Sequence, residues 1–184
     1  MMLSPNLIQL GFSIENVNAD DLPNYIQVIR ACMKKYVDEN HEFFGKWNDE
    51  NVINEFNDKT KRLFFRKLLL HRETVGFLAY DVKDYKIDGV SIHLTEKARN
   101  NGIGSLYLTH IITLAEEQGK PIFLIVMKTN PAVHLYMRLG FKHHEDLQGV
   151  YQMIYNPLNP AHENDSSKST SDIPQKGTLC AKQN

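Results

Sequence analysis

The residues with the clearest chemical potential form a glycine-containing turn, Arg99-Asn100-Asn101-Gly102-Ile103-Gly104-Ser105. This turn lies between a predicted strand that ends at Leu94 and a predicted amphipathic helix. Backbone N–H groups at a helix N-terminus lack intrahelical partners, the helix dipole favours negative charge there, and glycines allow close approach. Together with the charge of Arg99, the turn favours binding of a pyrophosphate. A tight strand-to-helix turn without a ligand is the alternative.

Two other phosphate-binding loops do not fit these residues. A P-loop needs a lysine directly after its last glycine, and Ser105 follows Gly104. A dinucleotide-binding loop needs a third glycine, where Tyr107 stands, and an acidic residue after the next strand. The segment Phe123 to Met127 contains no carboxylate.

A second segment follows about one strand later: Asn130-Pro131-Ala132-Val133-His134-Leu135-Tyr136-Met137-Arg138-Leu139-Gly140-Phe141. The two segments, in this order and with the strand Ile122–Met127 between them, resemble the two core motifs of the GNAT superfamily of N-acetyltransferases. The resemblance is detailed from Val75 to Tyr155, and from Phe12 to Leu70 it extends only to the pattern of elements.

The resemblance implies a fold, a reaction and a cofactor. The fold is α/β (α+β), a GNAT-type acyl-CoA N-acyltransferase fold with a mixed central sheet of about six to seven strands and about four flanking helices. The reaction moves the acetyl group of acetyl-CoA to a primary amine by direct attack in a ternary complex. A non-catalytic acyl-CoA-binding sensor or interaction module of the same fold is the alternative.

The resemblance also implies roles for individual residues. The amides from Asn100 to Ser105 would hold the coenzyme A pyrophosphate. Ile92, His93 and Leu94 would pair with the pantetheine arm where their strand splays from the next. Asn130 would lie near that arm, and Tyr136 would face the sulfur.

Three positions depart from the family pattern. Ala98 stands where an aromatic residue often precedes the arginine, and Asn100-Asn101 replaces a small or basic pair, so the turn is less cationic than many. Asn130 lies one position closer to Ala132 than the commonest spacing.

The reaction itself makes demands on the side chains. An alkyl ammonium has a pKa of about 10.4, so its proton must be removed before it attacks a thioester. His93 and Asp88 are the candidate bases, and strand alternation predicts that they face opposite sides of the sheet. A backbone N–H near Leu94 could stabilise the oxyanion, and the Tyr136 phenol could protonate the departing thiolate. The alternatives are a packing role for Tyr136 and a solvent-facing His93.

The acceptor is predicted to be a cationic amine, on a small molecule or a peptide. In proteins of this type the first two helices, their loop and the last hairpin build the acceptor pocket. Aromatic residues here, Tyr36, Phe44 and Trp47, lie among carboxylates, which suits cation–π contacts and ion pairing. The alternative is an exposed loop that its aromatic side chains anchor to the core.

Hydrophobic periodicity predicts the elements that position these residues. A strand spans Leu7 to Val17, a helix runs from Asp20 or Asp21 through Val37, and a shorter helix begins near Asn48. The remaining predicted elements are strands Lys61–Leu70, Glu73–Val82 and Lys86–Leu94, a helix from Ile103 stopped by Gly119, a strand Ile122–Met127, a helix Pro131–Leu139, and a hairpin of Phe141–Glu145 and Val150–Tyr155. We expect one domain over 1–160 and a disordered polar tail over 161–184.

Composition narrows the class of protein. The chain has 184 residues, with 21 Lys plus Arg against 22 Asp plus Glu, which disfavours nucleic acid as a partner. No apolar run is long enough to span a membrane, and two distant cysteines suit a reducing compartment, so we predict a cytoplasmic protein. We expect it to be a monomer or a homodimer. His143-His144 lacks a third ligand, so no metal is expected. Lys59, Lys61 and Arg62 are expected to be solvated.

Overall fold

The computed structural model describes residues 1–61 and 64–158, so the predicted tail lies outside the described residues. The helices are α1 (Pro5–Gln9), α2 (Leu22–Glu39), α3 (His41–Phe44), α4 (Asp49–Lys59), α5 (Ile103–Gln118) and α6 (Ala132–Arg138). The strands are β1 (Phe12–Asn16), β2 (Phe64–Leu70), β3 (Glu73–Val82), β4 (Ile87–Leu94), β5 (Ile122–Met127), β6 (Lys142–Leu147) and β7 (Val150–Tyr155). Within this part of the chain, no helix combines the length and apolar character that a membrane span requires.

The seven strands form one mixed sheet in the order β1-β2-β3-β4-β5-β7-β6. All neighbouring pairs are antiparallel except β4 and β5, which run parallel. The prediction of a mixed GNAT-type sheet is therefore confirmed. The described residues contain six α-helices rather than about four, because α1 and α3 were not predicted.

Helix α1 replaces the first half of the strand that was predicted from Leu7. Ser4 caps this helix by accepting a hydrogen bond from the Leu7 amide at 3.4 Å, and Pro5 occupies the first turn, where its missing N–H costs nothing. Gly11, at φ 89°, then reverses the chain into β1. The N-cap at Ser4 and the proline in the first turn favour a helix here more strongly than the loose hydrophobic alternation favours a strand.

Helices cover both faces of the sheet. Helices α5 and α6 pack on one face through a core that includes Leu108, Ile111 and Tyr136. Helices α2 and α4 pack on the other face, where Tyr25 and Phe56 meet the aromatic side chains of β2 and β3.

Lys59 lies inside this second core rather than in solvent. Its side chain is 2% exposed, donates a hydrogen bond to the Tyr25 hydroxyl at 3.0 Å and pairs with Glu55 at 2.6 Å. The expectation of a solvated Lys59 is wrong, because the long stem follows α4 into the core while Glu55 and Tyr25 satisfy the ammonium.

A bulge in β4 changes which face its residues occupy. Ala79 pairs with Ser91 and Asp81 pairs with Asp88, so β4 has one extra residue beside β3, near Gly89 at φ 61°. Asp88 and His93 therefore point to the same face, and the predicted opposite orientation is wrong. Strict alternation fails across a bulge because the inserted residue resets it.

Strands β4 and β5 separate almost as soon as they meet. Their ladder contains the single pair Ile87 and Ile122, whereas the end of β4, from Ser91 to Leu94, pairs with β3. The opening between the two strands exposes one backbone edge of β4, which a sheet interior does not normally leave unpaired.

Candidate active site

A cavity of about 420 Å³ lies at the opening between β4 and β5. It draws residues from four elements and the loops before α5 and α6, so it joins the two faces of the sheet. Its lining residues are Cys32, Met33, Tyr36, Ile92, His93, Leu94, Ala98, Arg99, Asn100, Gly102, Ile103, Gly104, Ser105, Asn130, Pro131, Ala132, Leu135 and Arg138.

The glycine turn places the N-terminus of α5 at this cavity. Gly102 is the N-cap at φ 76°, a conformation that side chains rarely adopt, and no side chain caps the helix. The first amide bonded back along the helix is that of Leu106, to the Gly102 carbonyl at 3.0 Å. The three preceding amides, from Ile103 to Ser105, have no carbonyl of an earlier turn to bond and belong to cavity-lining residues.

Two residues of the turn have structural tasks. A Cβ on Gly104 would come within 3.1 Å of Leu135 Cδ2, so this glycine permits close packing of α5 against α6. The Asn101 side-chain amide donates to the Arg99 carbonyl at 2.9 Å, and Asn101 does not line the cavity. The other predicted turn residues do.

Arg99 lines the cavity and contacts the end of β4. Its Nε donates a hydrogen bond to the Leu94 carbonyl at 2.9 Å. Burial raises the pKa of the Cys32 thiol, and the neighbouring Arg99 guanidinium partly opposes that shift. Arg99 therefore bridges the end of β4 and α2 across the mouth of the cleft.

His93 lines the cavity and Asp88 does not. Burial, and then the positive charge of Lys59, lower the pKa of His93 to about 3, so its imidazole is neutral at physiological pH. Asp88 forms an ion pair with Lys86 at 2.8 Å, near the point where β4 and β5 meet. The structure brings only one of the two predicted bases to the cleft.

Asn130 lies on the opposite wall of the cavity, whereas Tyr136 does not line it. The Asn130 Oδ1 accepts a hydrogen bond at 2.9 Å from the amide of Ala132, the first residue of α6, and Asn130 also lines the cavity. Tyr136 is 7% exposed and packs against Phe141, behind a wall that contains Ala132 and Leu135.

The Tyr136 hydroxyl remains protonated at physiological pH. Burial raises its pKa to about 12. Among residues 1–61 and 64–158, no side chain or backbone group forms a hydrogen bond with it. A phenol that is largely buried without a protein partner can donate to a ligand.

The predicted acceptor residues divide between two cavities. Tyr36 lines the cavity described above, whereas Phe44 and Trp47 line a second cavity of about 260 Å³ between α2 and α4. Met33 borders both cavities. The second cavity has an apolar floor that includes Ile29 and Val52.

Many of the nearby carboxylates are already paired. Asp38 pairs with Lys34, and Glu39 pairs with Lys35 at 3.7 Å. Asp49 pairs with an arginine of α2 and accepts a hydrogen bond from Trp47 Nε1 at 2.7 Å. These internal pairs weaken the negative field that a cationic acceptor would meet.

The loop that contains α3 reaches the last hairpin. A Cβ on Gly149, in the turn between β6 and β7, would lie 3.2 Å from the Phe43 ring and 3.3 Å from the Phe44 ring. The α2–α4 loop and the hairpin are therefore in contact.

Several cavity residues were not predicted as site residues: Cys32, Met33, Ala98, Pro131, Ala132, Leu135 and Arg138. Cys32 and Met33 belong to the apolar stripe of α2, which indicates a core role, so no sequence signal separated them from packing residues. Arg138 stands within the second motif, and its charge was the available signal.

No group of three or more metal-ligating side chains occurs among the described residues. His143 and His144 instead contact the rings of Tyr151 and Phe123, with centroid separations of 4.2 and 5.3 Å.

Comparison with known proteins supports the same architecture. Cysteine-rich protein 2-binding protein of Homo sapiens is 26% identical over 133 residues, which cover 72% of this chain but only 16% of that relative. Two solved structures share the fold with a TM-score of 0.59 and 17% identity: PaiA N-acetyltransferase from Thermoplasma acidophilum in complex with coenzyme A, and Arabidopsis thaliana Naa50 in complex with the bisubstrate analogue CoA-Ac-MVNAL. Each alignment covers 79% of this chain, with 98% and 99% of the respective structures.

The family assignment depends on a match that spans both motifs and the cleft between them. The model of the acetyltransferase (GNAT) family matches residues 32–141, from the cavity face of α2 to the end of the second motif. This chain belongs to the GNAT family of acetyltransferases.

Proposed function

We propose that this protein transfers the acetyl group of acetyl-CoA to a primary amine. One observation carries the proposal: the unpaired amides at the start of α5 and the open edge of β4 border the same cavity. The first can bind a phosphate and the second can bind a chain of amides. Acetyl-CoA contains both groups.

The residues present fit this substrate along its length. The amides from Asn100 to Ser105 would hold the pyrophosphate, with Asn101 shaping the turn from behind. Ile92, His93 and Leu94 would line the pantetheine arm together with Asn130. The complexes of two family-fold neighbours with coenzyme A and with a bisubstrate analogue support this choice of ligand.

Tyr136 would stabilise the departing thiolate. A phenol with a pKa of about 12 is a weak acid beside a thiol with a pKa of about 8.5, so complete proton transfer would be unfavourable by roughly three orders of magnitude. A hydrogen bond from the neutral phenol to the thiolate needs no such transfer. We assign Tyr136 the donor of that hydrogen bond.

His93 would orient the attacking nitrogen rather than deprotonate it. Its pKa of about 3 lies well below the usual alkyl ammonium value, so its neutral imidazole is a poor base for a protonated amine. A neutral imidazole can still accept a hydrogen bond from a neutral amine. We therefore propose that the acceptor reacts as its free amine, that the C–S bond breaks as the C–N bond forms, and that the proton lost by the nitrogen passes to the departing thiolate, which leaves as the thiol.

The acceptor would enter beside Tyr36. Met33 separates that position from the second cavity, so an apolar group attached to the amine could contact Phe44 and Trp47. This arrangement suits an amine on a small molecule or on a peptide whose neighbouring group is apolar.

The deciding experiment combines binding and turnover. Calorimetry with acetyl-CoA measures binding, and thiol release in the presence of an amine panel measures transfer. We expect micromolar binding and amine-dependent thiol release, highest for amines with an apolar substituent. Tight binding with no transfer to any amine would favour the non-catalytic acyl-CoA sensor, and absence of binding would refute both functions.

The pH profile tests the protonation state of the acceptor. If the free amine reacts, log kcat/KM for the amine should rise with a slope near one between pH 6 and 9. If His93 removed the proton, both required forms would persist across this range and the profile would be flat. A flat profile that slopes in His93→Gln would overturn our assignment.

A further inference from the structure

A lysine ammonium is buried behind the part of β4 that borders the cleft. The Lys59 side chain is 2% exposed, and its ammonium donates a hydrogen bond to the Tyr25 hydroxyl at 3.0 Å. Tyr25 packs edge-on against Phe77 with ring centroids 5.0 Å apart, and Phe77 is the cross-strand partner of His93. The ammonium and the imidazole therefore lie on the same face of the sheet, and of the two residues His93 lines the cavity.

The charge of Lys59 acts at the position that His93 occupies. Burial is the first cause of the low pKa of His93 and the positive charge of Lys59 is the second, so both disfavour a cation at this point of the cleft. Glu55 pairs with the ammonium at 2.6 Å, but the Glu55 side chain is 43% exposed. Solvent screens an exposed charge more than a buried one, so the pair leaves a positive potential on the buried side.

The other charged and titratable groups around this imidazole do not supply a compensating carboxylate. Asp88, on the same face of β4, pairs with Lys86, and Lys67 of β2 pairs with Asp21 and Glu15. No Asp or Glu occurs among the described residues that line the cavity. From α2, α6 and the glycine turn, the lining instead receives a thiol, a phenol and two guanidinium groups: Cys32, Tyr36, Arg99 and Arg138.

A fixed positive charge changes the protonation equilibrium of an amine that binds beside it. An alkyl ammonium has a pKa of about 10.4 in water, so at neutral pH almost all of it carries the proton and cannot attack a thioester. A like charge nearby disfavours the protonated form, so the bound amine loses its proton at a lower pH than in water. A cleft with such a charge needs no strong base.

We propose that Lys59 selects the free-amine form of the acceptor, because its buried charge disfavours an ammonium beside His93. Lys59 acts through space and does not contact the acceptor. This inference rests on the proposed function, in which His93 orients the attacking nitrogen.

The first test measures kcat and KM at pH 7, with saturating acetyl-CoA and the alkyl amine of the panel that reacts fastest. Lys59→Met and Lys59→Gln remove the charge, and the glutamine keeps a polar group beside the Tyr25 hydroxyl. Lys59→Arg retains the charge. The matched control is Lys61→Met, which removes an ammonium that is 76% exposed just after α4.

Loss of the charge should lower kcat and KM together. The unreactive ammonium would bind more tightly and occupy the site, so we expect both quantities to fall about tenfold, equivalent to about one pKa unit of the bound amine, while kcat/KM changes less than threefold. Lys59→Arg and Lys61→Met should match the wild type. A purely structural defect would lower kcat without lowering KM.

The second test is the dependence of kcat on pH, which reports the ionisation of the bound amine. In the wild type, the midpoint of the rise in kcat should lie at least about one pH unit below the pKa of the same amine in water. Removal of a positive charge stabilises the ammonium, so Lys59→Met and Lys59→Gln should move this midpoint upward by about one pH unit.

Two results would overturn the inference while leaving the proposed function intact. One is a wild-type midpoint at or above the pKa of the amine in water, which requires no variant to fold. The other is wild-type kcat, KM and midpoint in a charge-removing variant whose melting temperature shows that it is folded. If the wild type transfers acetyl groups to no amine, the proposed function fails, and this inference fails with it.

Discussion

Tyr136 combines an aromatic ring that packs in the core with a hydroxyl that no other described residue bonds. Its ring is packed in the core with Phe141, whereas its hydroxyl has no partner among the described residues. No fully buried side-chain oxygen of the described residues lacks a partner, so this hydroxyl lies at the edge of the core, where a ligand can accept its hydrogen bond. The second motif alone predicted the position of Tyr136, but not its place behind the cavity wall.

The substitution Tyr136→Phe should separate binding from turnover. The substitution removes only the hydroxyl, and with it the hydrogen bond that would stabilise the departing thiolate. We therefore expect kcat to fall about 10- to 100-fold. The Kd for acetyl-CoA should change less than twofold. Steady-state kinetics and calorimetry measure the two quantities.

Tyr155→Phe provides the matched control. Its hydroxyl donates to Glu116 at 2.7 Å, and its pKa is also raised to about 12, first by burial and then by that carboxylate. The control should lower the melting temperature and leave kcat unchanged. If Tyr136→Phe turned over acetyl-CoA at the wild-type rate at every pH, the phenol would have no part in the reaction.

Other residue-level predictions succeeded or failed according to what the sequence encodes. The turn from Arg99 to Ser105, with its arginine and two glycines, is a local feature of the sequence. All of its residues except Asn101 line the cavity. The lowered pKa of His93 is not a local property, because it depends first on burial by the surrounding elements and then on the charge of Lys59 in α4. A single sequence contains no signal for that contact.

At the scale of elements, strong periodicity was the reliable guide. The predicted bounds of β3 and β5 agree with the structure, as do those of β7, because each is a dense run of apolar or β-branched residues between turn signals. The short helices α1 and α3 were missed, since one or two turns of helix have no usable hydrophobic period. The bulge near Gly89 was also missed, because a glycine in a strand only suggests one.

The two glycines that bound α5 allow a test of the N-terminal site with an internal control. Gly102 and Gly119 have φ values of 76° and 62°, and an added Cβ at either would meet no atom within 4 Å. Gly102→Ala and Gly119→Ala should each cost about 1 kcal/mol, because a Cβ strains the left-handed conformation without creating a clash.

The two variants should differ in ligand binding. We expect both to lower the melting temperature by about 2–4 °C, the usual shift per kcal/mol for a domain of this size. Only Gly102→Ala should also weaken acetyl-CoA binding, since it distorts the amides that follow. Calorimetry and thermal unfolding measure the two effects. Equal binding by both variants would mean that the start of α5 does not hold the phosphates.

At the scale of the whole molecule, the cavity draws its lining from helices on both faces of the sheet. Helix α2 packs on one face, and α5 and α6 pack on the other, yet Cys32, Gly104 and Leu135 line the same space. The sequence predicted one domain and the family architecture. It did not predict the second cavity beside Met33, because that space depends on the angle between α2 and α4.

A ligand in this cavity should therefore stabilise the entire domain and not only one edge. At 100 times its Kd, acetyl-CoA should add about 2.7 kcal/mol to the free energy of unfolding, which corresponds to about 5–10 °C in melting temperature. Acetyl-pantetheine at the same concentration should produce a smaller shift, because it lacks the phosphates that the start of α5 would bind. Differential scanning calorimetry over a range of ligand concentrations measures both shifts. Equal shifts for the two ligands would place the binding energy along β4 alone and would contradict a phosphate site at Gly102 to Ser105.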